Sequence, residues 1–182
     1  NMLDIMANKV PAEEITAKVV KPLTGLKVAC YYGCLLVRPP KTTQFDNPEN
    51  PQSMEKVLRL TGATPIDWSF KTECCGASFA VAKQDVALEM IRRILENAKL
   101  NGAEAIATAC PLCMLNLDMR QKAINAKYKT DYHFPVYYFT ELLGCAMGVS
   151  PKEMGMEKHF APVIPKMEEV WQRTQVAGRE DQ

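Results

Sequence analysis

The sequence predicts an α/β fold, a three-layer sandwich around a mostly parallel, Rossmann-like sheet of about four strands. Short apolar runs at 26–30, 63–70, 105–109 and 136–139 have the form of buried strands. Stretches of helical period lie between them, and alternation at this spacing calls for right-handed crossovers. The chain has 182 residues, 47% of them hydrophobic and 24% charged, which is enough for one substantial core.

The elements follow in order. Residues 1–24 read as a helical lead-in, with a helix over 12–20 whose first turn suits Pro11, Glu13 and Glu14. The first strand delivers the chain into Tyr31-Tyr32-Gly33-Cys34. Residues 38–52, with four prolines, Asp46, Asn47 and Asn50, read as loop. Met54, Val57 and Leu58 predict a helix over 53–60 capped near Gly62. The second strand and its exit occupy 63–70 and lead to Cys74-Cys75-Gly76. Over 83–100, Ala87, Ile91, Ile94, Leu95 and Ala98 form one apolar stripe, the clearest helical pattern in the chain. The third strand runs into Cys110, where Pro111 takes the favoured first position of a helix reaching about Lys127. The fourth strand precedes a helix opening at Thr140. Residues 166–175 form a charged amphipathic helix, and 179–182 a frayed tail.

Composition excludes several classes of function. With 22 basic and 21 acidic side chains the net charge is +1, so no broad field exists to attract nucleic acid or an anionic membrane. Apolar stretches of only a few residues fall far short of the roughly 20 that a membrane-spanning helix needs, so no transmembrane segment is expected. Seven cysteines in a chain of this size fit ligation better than a secreted disulfide framework, which points to the cytoplasm.

Five of those cysteines carry the chemistry: C-x39-C-C-G-x33-C-P-x-C, with Cys34, Cys74, Cys75, Cys110 and Cys113. Vicinal cysteines rarely meet the geometry of a mutual disulfide, but both can face one metal centre. Each group follows a predicted strand, so in a parallel sheet all three emerge at the carboxyl edge, where ligands collect. The helix starting at Pro111 aims its amides at the same place and favours thiolate. Four thiolates suit zinc or an iron–sulfur cluster, and a fifth exceeds what either needs. Cys30 and Cys145 read as core, His133 and His159 as structural or solvent-facing, and the methionines as filler.

This pattern, opened by Tyr-Gly-Cys and closed by Cys-Pro-Leu-Cys, resembles the CCG domain of the B-type subunit of heterodisulfide reductase, specifically its second half. Tyr32-Gly33-Cys34-Leu35-Leu36-Val37-Arg38-Pro39 and Tyr138-Phe139-Thr140-Glu141-Leu142-Leu143-Gly144 share in the likeness. The resemblance implies a non-cubane [4Fe–4S] cluster bound by all five motif cysteines, with zinc able to fill the same thiolates in recombinant material. It implies reductive cleavage of a small disulfide substrate. Arg38, four residues after Cys34, is a candidate anchor for an anionic group of that substrate, because guanidinium suits carboxylate, sulfonate or phosphate. It also implies partners: a second CCG half preceding this one, an iron–sulfur C-type subunit and a flavoprotein A-type subunit. The expected organisation is a linker over 1–24, the CCG domain over 25–160, and a C-terminal helix and tail over 161–182. Two alternatives stand beside this: a CCG module of a lactate, glycolate or succinate oxidoreductase, and a non-catalytic zinc-stabilised interaction module.

Overall fold

The computed structural model describes residues 1–180, with side chains through residue 174. Strands β1 (Lys27–Tyr31), β2 (Thr64–Pro65), β3 (Ala105–Thr108) and β4 (Val136–Tyr138) form one parallel sheet in the order β2-β1-β3-β4. The helices are α1 (Met2–Asn8), α2 (Ala12–Thr16), α3 (Pro40–Thr43), α4 (Ser53–Arg59), α5 (Gln84–Leu100), α6 (Pro111–Met119), α7 (Gln121–Tyr128), α8 (Phe139–Ala146) and α9 (Val163–Glu180). Three-residue 3-10 turns lie at Ala77–Phe79 and Met156–Lys158.

Successive strand residues point to opposite faces, and both faces are buried, which explains runs that are apolar throughout. Val28, Cys30, Ala105, Ala107 and Tyr137 face a core closed by α1, α4, α8 and α9. Ala29, Tyr31, Ile106 and Val136 face a second core closed by α5, α6 and α7. These are the three layers. The α5 stripe is buried as its spacing predicts, with Ile91, Ile94, Leu95 and Ala98 at 1% exposure or less. Each fully buried Ile or Leu there contributes roughly 1.5–3 kcal/mol of transfer free energy. Arg92 lies on the outer face between Glu89 and Glu96. Leu3 and Ile15 reach the first core from the amino-terminal helices, as do Met167 and Val170 from α9.

Several boundaries differ from the sequence expectation. The helix over 12–20 ends at Thr16, because the amides of Val20 and Lys21 instead donate to the Ala146 carbonyl at the end of α8. The stretch read as loop contains α3, which Pro40 starts and a left-handed Gln44 ends. β2 keeps only two residues, since it lies at the sheet edge and Pro65 has no amide to donate. The helix after Pro111 breaks at Arg120 into α6 and α7. There the buried Gln121 side chain donates to Leu117 and Phe134 carbonyls and accepts from the Phe134 amide, holding the turn against the strand approach. α9 begins at Val163, ahead of the expected start, and continues through Arg179 and Glu180, where a frayed tail was expected. The last two residues of that tail lie outside the described residues.

Among the described residues, no helix is long and apolar enough to cross a membrane.

Candidate metal centre

The parallel register sets Tyr31, Thr108 and Tyr138 side by side at the carboxyl ends of β1, β3 and β4. Chain order places β1 and β3 as neighbours after a crossover through β2, so the crevice between them is a topological switch point. Cys34 lies three residues beyond β1 and Cys110 two beyond β3, while Cys74 and Cys75 lie on the path from β2 to α5.

The five sulfurs meet there. Cys34 Sγ lies 3.9 Å from Cys74 Sγ, and Cys75 Sγ lies 3.6 Å from Cys113 Sγ. Cys110 opens the same helix as Cys113 and is influenced by it, while the two sulfur pairs are joined through the adjacent Cys74 and Cys75. None is in a disulfide. Two thiolates on one tetrahedral metal atom stand about 3.8 Å apart, from metal–sulfur bonds of about 2.3 Å. Each measured pair matches one such edge. Among the described residues, no three Cys, His, Asp or Glu side chains close on a common point in the manner of ligands to a single ion. The donor set is two close pairs of soft sulfurs with Cys110 beside one of them, a thiolate set of the kind that zinc and iron–sulfur centres use.

Charge is arranged to suit a metal. Cys110 caps α6; hydrogen bonding from Cys113, joined by the Cys113 and Leu112 amides, lowers it to about 5 despite partial burial. Cys75 is lowered to about 6, chiefly by Cys113, with help from the Ala77 amide and Asn116. Cys113, in S–H···S contact with Cys75, has its pKa pushed well up by the Cys110 and Cys75 sulfurs and by burial. Burial and the neighbouring Cys74 raise Cys34.

The loops are fixed from beneath. Gly33 has φ +65°, and a Cβ there would stand 2.8 Å from Cys113 Sγ, so the glycine leaves room for the sulfur. Gly76 has φ +71°, and a Cβ would press Ala87 Cα at 3.1 Å and Met90 Sδ at 3.0 Å, so this position demands glycine both for the left-handed turn and for the close approach of α5. Tyr31 Oη donates to the Glu73 carbonyl at 2.6 Å. Burial and then the charges of Cys113, Cys75, Cys74 and Cys34 push its phenol up, which sets it beside four of the sulfurs. The Lys71 carbonyl accepts from the amides of Tyr32 and Gly33 at 2.8 and 3.1 Å. Its buried ammonium pairs with Glu55 at 2.8 Å, and Tyr32 Oη donates to the same carboxylate.

Cys30 and Cys145 are fully buried and separate from the site. His133 is exposed beside Asp131, and His159 is buried between Glu141 and Asp118. Arg38 is partly exposed; its Nη2 donates to Glu49 Oε2 at 3.0 Å and to Thr72 Oγ1 at 3.3 Å. A cavity of about 50 Å³, lined by Phe70, Glu73, Cys74, Met90, Arg93 and Ile94, opens beside Cys74. Larger concavities of about 370 and 650 Å³ share no residue with the cysteines. Sequence reasoning missed Glu55, Lys71 and Asn116, and it reads Tyr31 only as an ordinary strand aromatic. Only Asn116 had a visible signal, one helical turn after Cys113 on the same face.

A profile of the cysteine-rich CCG domain matches residues 28–118, a stretch that holds all five sulfurs. The chain belongs to the CCG cysteine-rich domain family. Beyond the profile, this CCG chain is 33% identical over 174 residues to the B-type subunit of the Ferredoxin:CoB-CoM heterodisulfide reductase of Methanosarcina mazei, covering 94% of this chain and 58% of that one. It is 34% identical over 156 residues to the 8-methylmenaquinol:fumarate reductase membrane anchor subunit of Wolinella succinogenes, covering 86% and 54%. The CCG chain therefore spans a little over half the length of these curated relatives. A crystal structure of a hypothetical protein from Helicobacter pylori shares the fold, with a TM-score of 0.60 at 13% identity over 82% of this chain and 28% of that chain.

Proposed function

We propose that this chain is the iron–sulfur module of a heterodisulfide reductase-like oxidoreductase, holding a non-cubane [4Fe–4S] cluster through Cys34, Cys74, Cys75, Cys110 and Cys113. The observation that carries the reading is the pairing of free sulfurs across three post-strand loops at one sheet edge, Cys34 with Cys74 and Cys75 with Cys113, with Cys110 opening the same helix as Cys113. The likeness to the B-type subunit of heterodisulfide reductase supports it.

The reaction proposed is R–S–S–R′ + 2e⁻ + 2H⁺ → RSH + R′SH. The cluster, when bound, supplies electrons singly at a potential that the protein sets. The chain's own residues do the rest. Cys110 and Cys75 offer ready thiolates, Gly33 makes room for Cys113, and Lys71 and Tyr31 lock the loops. Arg38 is proposed as the anchor for an anionic substrate group; its partner Glu49 is 79% exposed, so the pair opens to solvent. An Arg38→Ala protein with unchanged substrate affinity would remove that assignment. A second CCG half, a C-type iron–sulfur subunit and a flavoprotein A-type subunit are proposed to complete the enzyme. A reducing cytoplasm suits seven free thiols.

Anaerobic loading with iron and sulfide tests the reading. Close to four irons with acid-labile sulfide per chain is the expected result. Serine at any of the five positions lowers that content, while Cys30→Ala and Cys145→Ala leave it unchanged. One zinc with no sulfide uptake sinks the proposal in favour of a structural module.

A further inference from the structure

Asn116 is 3% exposed and lies on α6 one turn beyond Cys113. Its Nδ2 donates to the Cys75 carbonyl at 3.2 Å and lies 3.7 Å from Cys75 Sγ. Its Oδ1 accepts from Arg120 Nε at 3.0 Å. These partners fix the amide's orientation: turned over, it would set oxygen against carbonyl and sulfur, and NH₂ against the guanidinium. Among the described residues, no other side-chain N–H reaches any of the five sulfurs. The Gly76 amide approaches Cys74 Sγ at 3.4 Å, but it belongs to the main chain and no substitution tunes it.

We infer, resting on the reading that these cysteines hold an iron–sulfur centre, that Asn116 is a positioning residue that sets the centre's reduction potential through an N–H···S bond to Cys75, with Arg120 holding the amide. Reduction adds negative charge that the sulfurs share. An N–H dipole aimed at a sulfur therefore stabilises the reduced state more than the oxidised one and raises the potential. Burial keeps water from substituting for the lost donor.

Redox titration of the loaded protein tests this with two variants. Asn116→Leu removes the donor at similar volume, and Asn116→Asp keeps the acceptor for Arg120 while placing a carboxylate at the sulfur. The expected result is iron and sulfide content near wild type with the reduction equilibrium shifted toward the oxidised form. The shift is about tenfold for Leu, which is about 59 mV for one electron, and larger for Asp. Potentials equal to wild type in both variants overturn the role of Asn116 and leave the cluster standing. A wild-type chain that takes up no iron and sulfide overturns both. Pulsed electron paramagnetic resonance on wild-type protein labelled with ¹⁵N-asparagine gives an answer independent of the variants. A hyperfine coupling to an asparagine nitrogen supports the bond, and its absence overturns it.

Discussion

Removing the Lys71 ammonium while leaving Glu55 in place is expected to cost about 3–5 kcal/mol, the usual penalty for orphaning one half of a buried ion pair. The two side chains are 5% and 2% exposed and stand 2.8 Å apart. Among the described residues, Glu55 Oε1 has no aligned hydrogen-bond donor and the Lys71 charge is its compensation; Oε2 has the Tyr32 hydroxyl. The ammonium also reaches Asn50 Oδ1 at 3.2 Å and the Pro51 carbonyl at 3.4 Å, tying the segment before α4 to the loop before Cys74. Against a total stability of roughly 5–15 kcal/mol for a domain, Lys71→Met should thus show a large fall in urea midpoint with an unchanged slope. Glu55→Leu combined with Lys71→Met should recover most of the loss, because an apolar pair of similar volume replaces the ionic one. The measurement is a double-mutant cycle by urea unfolding. A Lys71→Met protein within about 1 kcal/mol of wild type would refute the reasoning, because it would mean that water already reaches the carboxylate.

Two further outcomes follow from the same geometry. Gly33→Ala should lose roughly 1–2 kcal/mol to left-handed strain and also lose iron, since its Cβ falls 2.8 Å from Cys113 Sγ; Gly25→Ala, at φ +79° with nothing within 4 Å, should show the strain alone, and equal iron loss in both would refute the steric account. His159 gives a pH dependence: burial lowers its pKa, but the Glu141 hydrogen bond and charge, the Asp118 charge and the Val136 carbonyl outweigh it, leaving the pKa above the ordinary 6.5. The stabilisation from this raised pKa is fully present below 6.5 and fades as pH rises through the folded value, so thermal unfolding should drop across that window and His159→Gln should flatten the profile.

The stripe of Ala87, Ile91, Ile94, Leu95 and Ala98 was legible because periodicity is local and needs only one face to be buried. The helix after Pro111 was legible at its start, where proline fixes φ, but not at its break. That break depends on Gln121 meeting the Phe134 backbone 13 residues away, a contact no local pattern reports. The length of β2 was likewise set by its place at the sheet edge rather than by its apolar run. Arg38 is legible in sequence only by its spacing of four residues from Cys34, yet its partners are Glu49 and Thr72, which only folding brings near.

By itself the sequence determined the α/β class, the placement of three cysteine groups after strands and the family those groups mark, because residue type and short-range spacing constrain each of these directly. Tertiary structure alone decided how the sulfurs pair and that Tyr31, Lys71 and Asn116 stand behind them. The reason is physical: hydrogen bonds and buried charge pairs act over a few ångströms, and residues separated by 23 to 42 positions reach that range only after the crossovers have closed.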